Sequence, residues 1–225
     1  MLEKTTLDPV QQEIDEIFSL LAYSLVYQDW QSHEVPRDKR RGYNIGAVLV
    51  DKENHPVYYG LNSINSTDNA TQHGEVRSII GYLDQTRKFN LSGYTIYTTL
   101  EPCVMCAGMI TMTAFKRAVY GQHDVEYSKA FERLAVDTQP IGGFPPYPRR
   151  VEALANSTQY CKALDDAYAK FLATDSEKVL AKFLTSDEAK AIYKSAARAF
   201  ENYEVKHPEN QSILEAAQTF FDQHK

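Results

Sequence analysis

His73, Glu75, Cys103 and Cys106 are the residues of this chain whose types and spacing could do chemistry. They fall in two short strings, His73-Gly74-Glu75 and Pro102-Cys103-Val104-Met105-Cys106. One imidazole and two thiolates make three ligands of a tetrahedral zinc and leave the fourth position open to water, which is the pattern of a catalytic zinc rather than a structural one. Zinc lowers the pKa of a bound water toward ~7, so hydroxide is available as a nucleophile at neutral pH. Glu75 is a poor soft ligand, and two residues past the histidine it is placed to carry protons. A C-x-x-C alone would also suit a redox dithiol, but a dithiol leaves His73-Gly74-Glu75 unexplained.

Such residues need rigid elements to hold them. Asp8 and Pro9 read as the cap and first residue of a helix. Its apolar positions Ile14, Ile17, Phe18, Leu21 and Leu25 recur at helical spacing to about Tyr27, the pattern of an amphipathic helix. Gln28 to Tyr43 is polar and reads as a loop, with Arg37-Asp38-Lys39-Arg40-Arg41 as a solvated stretch. Ile45–Val50 predicts a buried strand, Val57–Gly60 a second, and Asn62–Gln72 a loop that delivers His73. The spacing predicts a helix from about Gln72, with Val76, Ile79, Ile80 and Leu83 buried. A strand follows at Tyr94–Leu100, then a helix from Pro102 to about Thr113. Each ligand string therefore lies at a helix start, where free N–H groups favour thiolate over thiol. The separation of three places both cysteines on one helical face.

Ala118–Gly121 and Arg150–Ala153 read as strands, Glu126–Val136 and Ser157–Leu172 as helices, and Ile141–Pro148 as non-helical. This alternation implies an α/β fold, a three-layer α/β/α sandwich. Beyond Phe171 the residues become helix formers. One stripe runs from Ala189 through Ile192, Tyr193, Ala196 and Phe200 to Tyr203, and another from Ile213 to Phe221, with His207-Pro208 between them. The expected organisation is a zinc domain over 1–172 and a helical C-terminal extension over 173–225. The extension would mediate oligomerisation or cover the pocket as a lid.

The formal net charge is −6, which disfavours a long nucleic acid as partner without forbidding a local basic patch. Three cysteines, two of them in one C-x-x-C, suit metal or redox use rather than a disulfide framework. The start Met1-Leu2-Glu3-Lys4 lacks a secretory pattern, and no apolar run nears the ~20 residues of a membrane span. A cytoplasmic location is expected, with no membrane partner. Phe144 and Tyr147 are candidates to stack on a ring, against a packing role that is also open to Trp30. His33, His55, His123, His207 and His224 lack ligand-like spacing, and Cys161 sits on an apolar helix stripe.

The two strings together resemble the H-x-E and P-C-x-x-C signature of the zinc-dependent cytidine/deoxycytidylate deaminase superfamily. The resemblance runs over roughly residues 8 to 172. It extends to Gly46-Ala47-Val48-Leu49-Val50, to Tyr97-Thr98-Thr99-Leu100-Glu101-Pro102-Cys103, and to Lys116-Arg117-Ala118-Val119-Tyr120-Gly121. It implies the cytidine-deaminase-like fold, Zn2+ as cofactor, no organic cofactor, and a homo-oligomer, a dimer. It further implies that His73, Cys103 and Cys106 bind zinc and that Glu75 shuttles protons. Asn62 would hydrogen-bond the base edge, Ala47 would line the pocket, and the backbone N–H of Cys103 would orient the zinc-bound hydroxyl. The chemistry is hydrolytic loss of an exocyclic amine from a nucleobase, nucleoside or nucleotide.

Gly74 stands where tRNA adenosine and guanine deaminases usually carry alanine, and free-base cytosine deaminases can carry H-G-E. Together with the negative charge, Gly74 favours a free base or nucleoside as substrate. Asn69 stands where several relatives have aspartate, and the Arg37–Tyr43 insertion and the tail find no counterpart in the resemblance. The alternative is a tRNA adenosine-to-inosine deaminase, which would need a basic rim; Arg149-Arg150 is the only compact basic pair near the end of the zinc domain. A second alternative is a non-catalytic zinc-binding module on the same fold, against which an intact Glu75 argues.

Overall fold

The computed structural model describes residues 8–135, 138–143 and 151–225. Helix α1 (Pro9–Gln28) starts as its sequence requires, with proline in the first turn and the Asp8 carboxylate accepting from the Val10 N–H at 3.2 Å. A hairpin of β1 (Gly46–Val50) and β2 (Pro56–Leu61) follows, then α2 (Gly74–Thr86), β3 (Thr95–Leu100), α3 (Val104–Met112) and β4 (Arg117–Gln122). After β4 come the short α4 (Ala130–Leu134), β5 (Glu152–Ala155) and α5 (Gln159–Thr174). The five strands form one sheet in the order β2-β1-β3-β4-β5. β1 is antiparallel to β2 and β3, while β4 is parallel to β3 and β5.

Period-two alternation divides the apolar side chains between two faces. Val48, Tyr97 and Val119 pair across β1, β3 and β4 and join the cluster that contains α1 and α5. Leu49, Ile96 and Ala118 point the other way, into a cluster with Ile79 of α2 and Ile110 of α3. The result is the expected three-layer α/β/α sandwich. Within α2, Ile79 is buried but Ile80 is 43% exposed, because adjacent helical residues point about 100° apart. The helix expected over 126–136 is confined to α4, and residues 136–137 lie outside the described residues.

The tail adds a layer beyond α1. It contains α6 (Leu180–Phe183), α7 (Asp187–Glu201) and α8 (Gln211–Asp222). The expected boundary after residue 172 falls in the last turns of α5. Beyond it, Tyr193, Phe200 and Phe221 belong to the same apolar cluster as Phe18 and Leu21. α7 packs on α1 and α5, and α8 packs on α1 and β2. α1 is consequently not amphipathic in the usual sense: from Glu13 to Val26 every residue except Glu16 is buried. A helix enclosed on both sides must pair its polar groups. Asp15 accepts a two-pronged bond from Arg117 at 2.8 and 2.6 Å and a third from the Tyr97 hydroxyl at 2.9 Å. Glu13 accepts from the backbone N–H groups of Lys206 and His207 and from Asn210 Nδ2, which ties α1 to the α7–α8 connection.

Burial alone would raise the pKa of Glu13, but these three donors more than offset it and hold the carboxyl below its ordinary value of 4.5. A depressed folded pKa gives stability that is complete above the unfolded value and lost as pH falls through the folded one. The stability difference between the native protein and Glu13→Gln should therefore be full at neutral pH and shrink below about pH 4. Urea unfolding at a series of pH values measures it; a difference that stays constant into acid would show that the carboxylate charge is immaterial.

Candidate active site

The site forms at the end of the sheet where β2 and β3 finish and β1 begins. α2 and α3 both start there and pack against each other. His73 is the N-cap residue of α2 and Cys103 that of α3, both in extended conformation. Neither uses its side chain to cap its own helix. The imidazole and thiol are thereby released toward each other, and Cys106 joins them from the first turn of α3.

The three donor atoms form a compact triangle. Cys103 Sγ lies 3.7 Å from His73 Nδ1 and 3.7 Å from Cys106 Sγ, and Cys106 Sγ lies 3.5 Å from His73 Nδ1. A tetrahedral zinc with bonds of about 2.3 Å to sulfur and about 2.0–2.1 Å to nitrogen has S–S edges of about 3.8 Å and S–N edges of about 3.6 Å. The triangle fits zinc, and among the described residues it is the one His/Cys/Asp/Glu group gathered closely enough to hold a metal. A shared hydrogen bond with Cys106, joined by one to His73, holds the Cys103 thiol down to about 4 despite its burial. The same bond and burial push Cys106 up, as expected when two close thiols compete for one proton.

Glu75 sits in the first turn of α2 and is 3% exposed, with Oε2 lacking a hydrogen-bond partner among the described residues. Its burial pushes the carboxyl up to about 7. Asn62 is 1% exposed. Its Oδ1 accepts from the Tyr43 N–H at 3.0 Å, while Nδ2 has no partner among the described residues. An unpaired buried polar atom is costly, and these two line the same cavity of ≈340 Å³ together with His73 and Cys103.

Ala47 and Gly74 are not among the residues lining that cavity. Ala47 is buried in the cluster under α2. Gly74 answers a packing demand: a Cβ there would lie 2.9 Å from Gly60 O and 3.0 Å from Gly46 Cα, both backbone atoms. Phe144, Tyr147, Arg149 and Arg150 lie outside the described residues. Trp30 packs on Tyr193 at 5.2 Å between ring centres, and Cys161 is buried in the apolar cluster of α1. His123 pairs with Asp165 at 2.7 Å, away from the cavity lining.

Several contributors had no visible pattern in the sequence. Arg41 is not simply solvated: it pairs with Asp29 at 2.6 Å and donates from Nη1 to the backbone oxygen of Asn62. At Gly42 a Cβ would lie 2.3 Å from Asn62 Oδ1. The Arg37–Tyr43 insertion thus ends in a clamp on Asn62. Glu101, inside the resemblance but without an assigned role, accepts from the N–H groups of Asp124 at 3.2 Å and Lys129 at 2.8 Å. It fixes the loop after β4, from which Asp124, Glu126 and Tyr127 reach the cavity. Val179, Leu180 and Ala181 of the tail line it as well. α6 is a single turn, too short for periodicity to reveal.

With this geometry in place, comparison with known proteins gives a consistent class. Residues 28–122 match the model of the cytidine and deoxycytidylate deaminase zinc-binding region. That stretch, less than half of the chain, contains His73, Glu75, Cys103 and Cys106. The chain is 39% identical over 91 residues to a tRNA-specific adenosine deaminase of Rickettsia bellii, covering 40% of this chain and 63% of that protein. It is 33% identical over 101 residues to a probable cytosine deaminase of Schizosaccharomyces pombe, covering 45% and 56% respectively. The chain thus spans less than two thirds of the length of these relatives. The fold is shared with a diaminohydroxyphosphoribosylaminopyrimidine deaminase/5-amino-6-(5-phosphoribosylamino)uracil reductase of Thermotoga maritima. That structure matches at TM-score 0.50 and 18% identity, over 72% of this chain and 42% of that one. No described helix is long and apolar enough to cross a membrane.

Because backbone atoms confront position 74, Gly74→Ala should lower stability by about 1–3 kcal/mol. Urea unfolding checks this, and an unchanged midpoint would show that the hairpin yields without cost.

Proposed function

We propose that the protein is a hydrolytic deaminase that removes an exocyclic amine from a nucleobase ring, with a free base or nucleoside as substrate. The observation that carries this reading is the pair of buried atoms without a hydrogen-bond partner among the described residues, Glu75 Oε2 and Asn62 Nδ2, whose residues line one cavity with His73 and Cys103 of the His73–Cys103–Cys106 triangle. His73 Nδ1 and the two sulfurs hold zinc. When bound, zinc supplies a Lewis acid that brings the pKa of water to about 7.

Asn62 holds the ring by donating from Nδ2 to an acceptor on its edge; its Oδ1 is already committed to the Tyr43 N–H. Glu75, its carboxyl pushed to about 7, accepts and returns protons near neutrality. It removes the two protons of the attacking water in turn, delivering the first to the ring nitrogen and the second to the departing amine as the carbonyl forms. The sum is water consumed, a C–N bond broken, a ring carbonyl formed and ammonia released. A binding module without turnover would gain nothing from a buried carboxyl oxygen that lacks a partner, since its burial is unfavourable.

A second reading, adenosine deamination in tRNA, is supported by the name of the Rickettsia bellii relative. An ammonia-release screen over cytosine, guanine, adenine, their nucleosides and tRNA distinguishes the two. The purified chain should carry about one zinc, and Glu75→Gln should reduce turnover by at least about a hundredfold while retaining zinc. Zinc loss in that variant would contradict the assignment of Glu75 as a proton carrier rather than a ligand. Release of ammonia from no member of the panel would sink the proposal.

A further inference from the structure

The tail and the loop after β4 both line the cavity. Val179 and Tyr127 are 47% and 54% exposed, and Glu126 is exposed as well, so these three form its mouth, while Asn62, Glu75 and Asp124 are buried within. Both sides of the mouth are held by hydrogen bonds. On the tail side, Phe183 and Leu184 are buried in the core, Asn44 Nδ2 donates to Leu184 O at 2.7 Å, and His33 N donates to Thr185 O at 3.2 Å. On the other side, Asp124 Oδ1 accepts from the N–H groups of Glu126 and Tyr127, each at 3.0 Å.

The cavity's charge is one-sided. Four carboxyl groups line the cavity, those of Glu75, Glu101, Asp124 and Glu126, and among the described residues no lysine or arginine does. Arg41, which donates to the backbone oxygen of Asn62, and Arg77 line a separate groove beside β2. A phosphate entering the mouth would meet like charge and, among the described lining residues, no basic side chain to replace its lost hydration. The cavity volume of ≈340 Å³ is near the lower end of the range for small-molecule sites, about 300–1,000 Å³.

We propose that Val179–Ala181 of the tail and the acidic loop carrying Glu126 form a specificity filter that admits a base or nucleoside and rejects the same base once it carries a phosphate. This rests on the deaminase reading and adds the determinant of substrate form. A base within RNA, flanked by phosphates, falls on the rejected side.

The test uses the zinc-loaded full chain and two measurements, equilibrium binding by calorimetry and kcat/KM by ammonia release. The ligands are cytosine, cytidine and CMP, then adenine, adenosine and AMP, and a tRNA anticodon stem-loop. The preferred base or nucleoside should exceed its monophosphate by at least about tenfold in both measurements. High salt should narrow that ratio, since exposed charges are screened. Glu126→Lys, at an exposed position, should narrow it by at least about threefold. Val179→Trp, also exposed, should weaken the nucleoside more than the free base. Equal or better use of a monophosphate or the stem-loop overturns the filter, as does absence of binding by every ligand. So does a ratio unmoved by Glu126→Lys and Val179→Trp together. Discrimination in binding without ammonia release would refute the deaminase reading alone; ammonia release without discrimination would refute the filter alone.

Discussion

The first turn of α2 lies against the backbone of the β1–β2 hairpin, with position 74 facing Gly60 O and Gly46 Cα. At that distance a side chain has no room, so the helix start is held against the sheet by backbone contact. His73 immediately before the contact and Glu75 immediately after it inherit their positions from it. The cysteine helix is placed by the run of β3 into Glu101-Pro102-Cys103 and by its packing against α2. A metal triangle with edges of 3.5 to 3.7 Å tolerates little error. Its accuracy follows from two helix starts that are each fixed by the sheet.

A second constraint works through α1. Because the sheet covers one side of this helix and α7 and α8 the other, its acidic residues are taken out of water and must find partners. Asp15 finds Arg117 and Tyr97, which joins α1 to the middle of the sheet, and Glu13 finds the α7–α8 connection. Removing one partner of a buried pair such as Asp15–Arg117 costs about 3–5 kcal/mol, far more than a surface pair contributes. The tail is thereby part of the core, and the segment of it that reaches the cavity runs into the buried Phe183 and Leu184.

The polar segment between α1 and β1 connects these two systems. Arg41, Gly42 and Tyr43 hold Asn62 from one side. Asn44 reaches the other way to Leu184, and His33 to Thr185. The geometry of the cavity-lining Asn62 and the position of the tail wall are therefore set through one stretch of chain. A loop with few apolar side chains is tied to the rest of the fold through hydrogen bonds to backbone oxygens.

Local chemistry was readable because it depends on neighbours in sequence. The helix start at Asp8-Pro9, the alternating strands, and the two ligand strings at helix starts each follow from rules acting over a few residues. The three-layer sandwich follows from their alternation, and with it the convergence of His73, Cys103, Cys106 and Glu75. The sequence alone did not determine which surfaces those elements would share. α1 shows an apolar stripe whether or not a second layer covers its back, so its burial on all sides needed the tail to be seen in place. Gly74 looked like a hint about substrate and is a point of backbone contact, since Gly60 is fourteen residues away and adjacent only after folding. Likewise Arg41, Glu101 and the 179–181 segment carry no spacing signal, because their partners are hydrogen-bonding backbone groups and cavity walls brought together by distant parts of the chain. Short-range periodicity determined the elements and the reactive groups; long-range packing decided the walls and the charge of the cavity in which they meet.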